Sequence, residues 1–319
     1  MKRKHKVASA LLSAAAMSGA VFLCFAQEKN QMRNKAGLDY QISVSAISIA
    51  VTVQDKRGSY IDNLTAGDFT VYENNVKQPI TYFKHDYAAP LSLTVLLDVS
   101  GSMAIQDKLE ESKEALAYLL TYLLGPEDEV SLLIFADGEV EVAAGFSVDK
   151  TKFLEELART EAYGQTALYD AVAVSPEFAN KGNKEKRALL LVTDGIENDS
   201  LSTPAQAVEI ARRVDVPIYT IGYKIPRSEQ FLRKYKSRPD TSSAGIIATL
   251  ERFSRATGGK AFFLNEPHEL KAALREIRRE LSHHYVLGYT SYKSPKNEYR
   301  RIRVITRDKK HRVRTREGY

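Results

Sequence analysis

Asp98, Ser100 and Ser102 form an Asp-x-Ser-x-Ser cluster inside the run Leu91 to Met103, LSLTVLLDVSGSM. One carboxylate and two hydroxyls at alternate positions offer three oxygen donors within a single turn, and Gly101 lets the backbone fold tightly between them. No sulfur or nitrogen ligand lies close by, so the chemistry is that of a hard cation, Mg²⁺ or Mn²⁺, rather than zinc. The same residues also make a good turn and helix N-cap.

Other chemistries fit the segment poorly. A Ser-His-Asp hydrolase wants Gly-x-Ser-x-Gly at its strand-to-helix turn, yet Ser100 is flanked at that spacing by Asp98 and Ser102. A two-aspartate phosphotransferase loop wants an acid at position 100. His85, His268, His283, His284 and His311 show neither metal-ligand nor triad spacing and read as surface or packing residues. No glycine-rich run is built to cradle a phosphate. A hydrolase is the weaker reading, and the chain is read as a non-enzyme.

The donors must be positioned by the elements around them. LSLTVLL has almost no polar interruption, as in a strand covered on both faces of a parallel sheet, and an amphipathic segment from about Ile105 to Leu124 follows. Asp98 to Ser102 therefore occupy a loop at a strand's C-terminal end, where open α/β sheets bind ligands. Two later segments arrive at the same edge. Gly164-Gln165-Thr166 opens a helix reaching about Phe178, and ALLLVT (Ala188 to Thr193) is a second buried-type strand that ends in Asp194-Gly195.

Taken together, Asp98, Ser100, Ser102, Thr166 and Asp194 resemble the metal-ion-dependent adhesion site of the von Willebrand factor A domain family, whose motif is Asp-x-Ser-x-Ser with one Thr and one Asp. The spacing from Leu91 to about His284 also follows the family. The flanks, VTVQDKRGSYIDNLTAGDFTVYENNVKQPITYF and HYVLGYTSYKSPKNEYRRIRVITRDKKHRVRTREGY, are similar to a subgroup of exported bacterial proteins of acidobacterial type. The two aspartates bring only two charges and in such sites often act through water, so a divalent ion keeps unneutralised positive charge, and Mg²⁺ (or Mn²⁺ or Ca²⁺) retains an exchangeable water. The resemblance implies that a Glu or Asp carboxylate of a partner protein takes that position. The alternative is a structural or assembly module in an envelope complex. Asp170, one turn beyond Thr166, is a candidate for orienting the site through a further bond, or is satisfied locally at the helix start. Asp137 and Glu197-Asn198-Asp199 lie near the same edge with turn or loop readings.

The expected fold is a doubly wound, mostly parallel six-stranded α/β sheet, Rossmann-like, occupying residues 89–284. Glu129 to Ala136 and Val140 to Phe146 are separated only by Asp137-Gly138-Glu139, which makes Val140 to Phe146 an antiparallel edge strand. Helices follow near Lys152 to Thr160, at Pro204 to Val214 with Thr203 as N-cap, at Gly245 to Thr257 and at Glu266 to Ser282, with strands at Pro217 to Tyr223 and Lys260 to Leu264. Lys224 to Ser243, with Phe231 and Tyr235, breaks the alternation. It either borders the metal edge or is a loop without a role.

Residues 38–88 alternate as strands do. Ile42, Val44 and Ala46 share one phase and Ile47, Ile49, Val51 and Val53 the other, which suggests a bulge or break between Ala46 and Ile47. Turns are expected at Asp55-Lys56-Arg57-Gly58 and Glu73-Asn74-Asn75. This segment is marginal alone, and so are the strands in 285–319. The two should pack together as one small antiparallel β domain into which the α/β domain is inserted.

Residues 1–26 read as an export signal, with Lys2, Arg3, Lys4 and Lys6 ahead of an apolar stretch and cleavage before Gln27; an uncleaved anchor and lipidation at Cys24 are the rival readings. Residues 27–37 read as a flexible leader. Cys24 is the only cysteine, so the mature chain carries no thiol and relies on its core. Losing the four basic residues of the signal lowers the formal charge from +6 to +2. The remaining excess, from Lys293 to Arg316, alternates with Ile302, Val304, Ile305 and Val313 as on the wet face of a hairpin, so no nucleic-acid partner is expected. The mature protein is expected to have no membrane span and to be periplasmic, cell-surface or secreted.

Overall fold

The computed structural model describes residues 29–33, 39–85, 87, 89–234, 242–293 and 298–319. The export signal, its cleavage point, Cys24 and Tyr235 lie outside the described residues. Five strands come first: β1 (Lys29–Arg33), β2 (Asp39–Gln54), β3 (Phe69–Glu73), β4 (Val76–Gln78) and β5 (Ile80–His85). The α/β part follows as β6 (Leu91–Asp98), α1 (Lys108–Tyr118), β7 (Glu129–Ala136), β8 (Glu139–Ser147), α2 (Thr151–Arg159), α3 (Leu168–Ala179), β9 (Lys186–Thr193) and α4 (Pro204–Ala211). It continues through β10 (Ile218–Tyr223), α5 (Glu229–Lys234), α6 (Ser243–Thr257), β11 (Ala261–Leu264) and α7 (Pro267–Ser282). The chain closes with β12 (Tyr285–Lys293), β13 (Ile302–Thr306) and β14 (Arg312–Arg314).

All eight residues of β6 are buried, because helices cover both sheet faces. Leu91, Leu93, Val95 and Leu97 face α1, α2 and α7, while Leu96 packs with α3, α4 and α6. The polar residues of β6 are satisfied across the sheet: Ser92 donates to Glu129 Oε1 at 2.6 Å, and Thr94 pairs with Ser131 at 2.9 Å. The six-stranded sheet has the order β11-β10-β9-β6-β7-β8. Neighbouring strands are parallel except β8, which runs antiparallel at the edge as the short Asp137-Gly138 connection requires. Successive strands step outward from β6 to β8 on one side and from β9 to β11 on the other. The order reverses between β6 and β9, the place where open α/β sheets bind ligands at their strands' carboxyl ends.

The flanking domain draws on both ends of the chain. β12 lies between β2 and β5, and β14 pairs with β2 in the same sheet. A second sheet, β13-β3-β4, packs its Val71 and Val304 against Ile49, Val51, Tyr285 and Leu287 of the first. Tyr285 pairs with His85, so the chain enters and leaves the α/β part on adjacent strands.

Four local expectations differ. β2 runs through Ala46–Ile47 without a break, pairing with β12 on one edge, while Ile47, Ile49, Val51 and Val53 face the core. Lys29–Arg33, read as leader, pairs with Asp39–Ser43 as β1. The helix expected from Ile105 begins only at Lys108, because Gln106 and Asp107 adopt φ +57° and +56° and interrupt the preceding 3₁₀ segment. α3 begins at Leu168, which leaves Thr166 in the loop before it. Thr203 does cap α4, its hydroxyl accepting from Gln206 N.

Candidate functional site

The Asp98 side chain is fully buried and folds back on its own loop. Oδ1 accepts the Ser100 amide at 2.9 Å and Oδ2 accepts the Thr193 hydroxyl at 2.5 Å. Ser100 and Ser102 are buried as well, with their hydroxyl oxygens 3.2 Å apart. The bond from Thr193, the last residue of β9, ties the end of β6 directly to the residue before Asp194.

A second loop closes on the same place. The Gly101 amide donates to the Gly164 carbonyl at 3.0 Å, and Tyr163 donates to the Val99 carbonyl at 2.8 Å. Gly164 has φ +66°, and a Cβ there would sit 2.2 Å from the Asp137 carboxyl, so the turn admits little but glycine. Asp137 in turn accepts the Gln165 amide at 2.6 Å. The buried Thr166 donates its amide to Asn198 Oδ1 at 2.8 Å, and its carbonyl accepts the amides of Asn198 and Asp199. Glu197 is buried and accepts the Leu168 amide at 2.8 Å, so its charge serves the N-terminus of α3.

The third loop carries Asp194, fully buried, whose Oδ1 accepts the Ile196 amide at 3.1 Å. Its Oδ2 receives the ammonium of Lys108, the first residue of α1. Burial raises the Asp98 carboxyl well above the ordinary carboxylate range, and the nearby charge of Asp194 adds to this against the bonds from Thr193 and Ser100. Two buried carboxylates thus lie close to the buried Ser100 and Ser102 at the strands' carboxyl edge, with the buried Thr166 on the adjoining loop.

The structure brings Asp98, Ser100, Ser102, Thr166 and Asp194 to one edge through these hydrogen-bonded loops. Asp170 stands apart: its oxygens accept the amides of Leu201 at 2.7 Å and Ser202 at 2.9 Å, which steadies the loop following Asp194. Sequence reasoning passed over Thr193 and Lys108. Lys108 had a signal, since it shares one helix face with the buried Ser112, Ala115 and Leu116. Chemically, the donors are carboxylate and hydroxyl oxygens, which suit a hard divalent cation. Among the described residues no group of three or more His, Cys, Asp and Glu side chains is placed to hold a metal, so any ion here relies on the hydroxyls.

A doubly wound sheet with acid and hydroxyl side chains converging at its topological reversal defines a class of α/β domains that present a small polar site on loops. Residues 93–197 match the family model of the von Willebrand factor type A domain. An uncharacterized protein of Borreliella burgdorferi is 23% identical over 207 residues, a match covering 60% of this chain and 59% of that protein. The crystal structure of the conserved hypothetical protein BatB from Bacteroides thetaiotaomicron is 20% identical, with a TM-score of 0.45 over 60% of this chain and 98% of that one. The open conformation of the pilus adhesin SpaC from Lactobacillus rhamnosus GG is 10% identical, with a TM-score of 0.49 over 83% of this chain and 49% of that one. Among the described residues no helix is long and apolar enough to cross a membrane.

Proposed function

We propose that the α/β domain is a divalent-cation-dependent protein-binding module of an exported bacterial protein, and that it performs no catalysis. Asp98, Ser100, Ser102, Thr166 and Asp194 would hold Mg²⁺, Mn²⁺ or Ca²⁺, and a Glu or Asp carboxylate of a partner would complete the shell. One observation supports this reading: three separate loops, carrying the buried Asp98, Ser100 and Ser102, the buried Thr166 and the buried Asp194, are hydrogen-bonded to one another at the sheet's carboxyl edge. The hydroxyls add oxygen donors without charge, so a further carboxylate is an acceptable last ligand for the dication. The envelope location follows from the basic and apolar segment at residues 2–25.

Calorimetric titration of Mg²⁺ and Mn²⁺ into the wild type and Asp98→Asn tests the site. The wild type should bind with Kd on the order of 10⁻⁴ to 10⁻³ M, the range of extracellular oxygen-ligand modules, while a folded Asp98→Asn should not bind. Equal binding by the two proteins would remove the site. Pull-downs with and without chelator then test the module, and retention of every partner in chelator would favour an assembly role.

A further inference from the structure

Lys108 is 1% exposed, and its ammonium lies on Asp194 Oδ2 inside the donor nest. The ordinary surroundings of a buried ammonium are an ion pair and further acceptors, yet this one is spent on a carboxylate that the metal reading also requires. We propose that Lys108 is a built-in counter-ion that balances the site without metal, competes with the divalent cation for Asp194, and withdraws into the neighbouring cleft when the cation enters. This rests on the metal-dependent reading above and adds a residue to it.

The charges make the argument. Asp98 and Asp194 are both buried at this edge, so ionising both places two like charges side by side, and one ammonium on Asp194 relieves part of that repulsion. A divalent ion relieves it more completely, but a dication and an ammonium on the same carboxylate repel each other at short range. The lysine arm is long and flexible, and it has somewhere to go. A cleft of about 550 Å³ opens beside it, lined by Gln106, Lys108, Phe231, Asn265 and Glu266 among others. Lys108 Nζ already lies over the Phe231 ring, 5.9 Å from its centroid, so a small swing away from Asp194 keeps it on the aromatic face in the cleft that Glu266 also lines. Phe231 comes from α5, so the irregular segment after β10 supplies the wall that receives the displaced lysine.

The test titrates Mn²⁺ and Mg²⁺ calorimetrically into the full mature chain as wild type, Lys108→Met, Lys108→Gln, Lys108→Arg and Asp98→Asn. Neutral Lys108→Met and Lys108→Gln should bind Mn²⁺ at least tenfold more tightly than the wild type, and Lys108→Arg should bind no more tightly. In chelator the two neutral variants should melt below the wild type, and Mn²⁺ should raise their melting temperature by more than it raises that of the wild type. Binding by the wild type but not by Asp98→Asn, with both neutral variants binding equally or more weakly, would overturn the competition and make Lys108 a group that merely positions Asp194. Binding by none of the proteins would overturn the metal reading together with this one.

Discussion

Removing the positive charge from Arg314 should loosen the junction between the two domains, because that charge balances a carboxylate with almost no access to water. Glu280 lies on α7 with its side chain 1% exposed, and Arg314 of β14 reaches it from the flanking domain. Tyr219 of β10 donates to Glu280 at 2.6 Å, and Tyr60 of the N-terminal segment donates at 3.3 Å. Burial by itself would raise the Glu280 pKa, but the His284 ring 3.9 Å away and the charge and bond of Arg314 outweigh it and bring it down to about 2. A fall from 4.5 to about 2 corresponds to roughly 3 kcal/mol of stabilisation at neutral pH.

The sign follows from the depressed pKa. The unfolded chain takes up the proton first, so the stabilisation is complete above about pH 4.5 and is lost as pH falls to about 2. His284 is buried and its pKa is lowered, mainly by burial, so it adds a loss of stability that begins near its unfolded value of 6.5. Breaking a buried pair by removing one partner costs about 3–5 kcal/mol. Arg314 is 29% exposed, and two tyrosine hydroxyls remain on Glu280. Arg314→Met should therefore cost about 2–3 kcal/mol at pH 7. The assay is urea unfolding of the wild type, Arg314→Met, Glu280→Gln and the double variant, followed by tyrosine fluorescence and circular dichroism at pH 7 and pH 3. Glu280→Gln should lose the part of the acid sensitivity that lies below pH 4.5, and the cycle should give a coupling of about 1–3 kcal/mol. A cost under about 0.5 kcal/mol for Arg314→Met, with no coupling, would refute the reasoning.

Gly164→Ala should cost about 1–2 kcal/mol, since φ +66° is strained for alanine and the new Cβ would press on the Asp137 carboxyl. Its melting temperature and Mn²⁺ affinity should both fall, and an unchanged affinity would mean that the Gly164 loop does not place Thr166. Asp170→Ala removes the acceptor for the Leu201 and Ser202 amides, so hydrogen exchange at those two amides should accelerate, with a stability loss of about 1–2 kcal/mol. Protected amides in the variant would show that the loop after Asp194 stands without Asp170.

The layered sheet was legible because its signals are local. Unbroken apolar runs at Leu91 to Leu97 and Ala188 to Val192 mark strands buried on both faces, and Thr203-Pro204 marks a helix start. The antiparallel edge strand followed from a connection too short for anything but a hairpin. The placement of Asp98 to Ser102, Thr166 and Asp194 on loops at one edge was legible for a related reason, as each follows or faces the carboxyl end of a strand whose position the pattern already set. Other features depend on partners distant in sequence, and no spacing announces them. The bond between Asp98 and Thr193 spans 95 residues, and the bond between Lys108 and Asp194 spans 86. Lys108 also reads as an ordinary charged residue in a first helical turn, and only its place on the face of Ser112 and Ala115 hints that it is inside. The left-handed residues Gln106 and Asp107 make that burial possible. They start α1 three residues later than the amphipathic pattern suggests and so aim its first side chain at Asp194. The cation nearest the candidate metal site is therefore a product of backbone geometry at two polar residues, which hydrophobic periodicity cannot register.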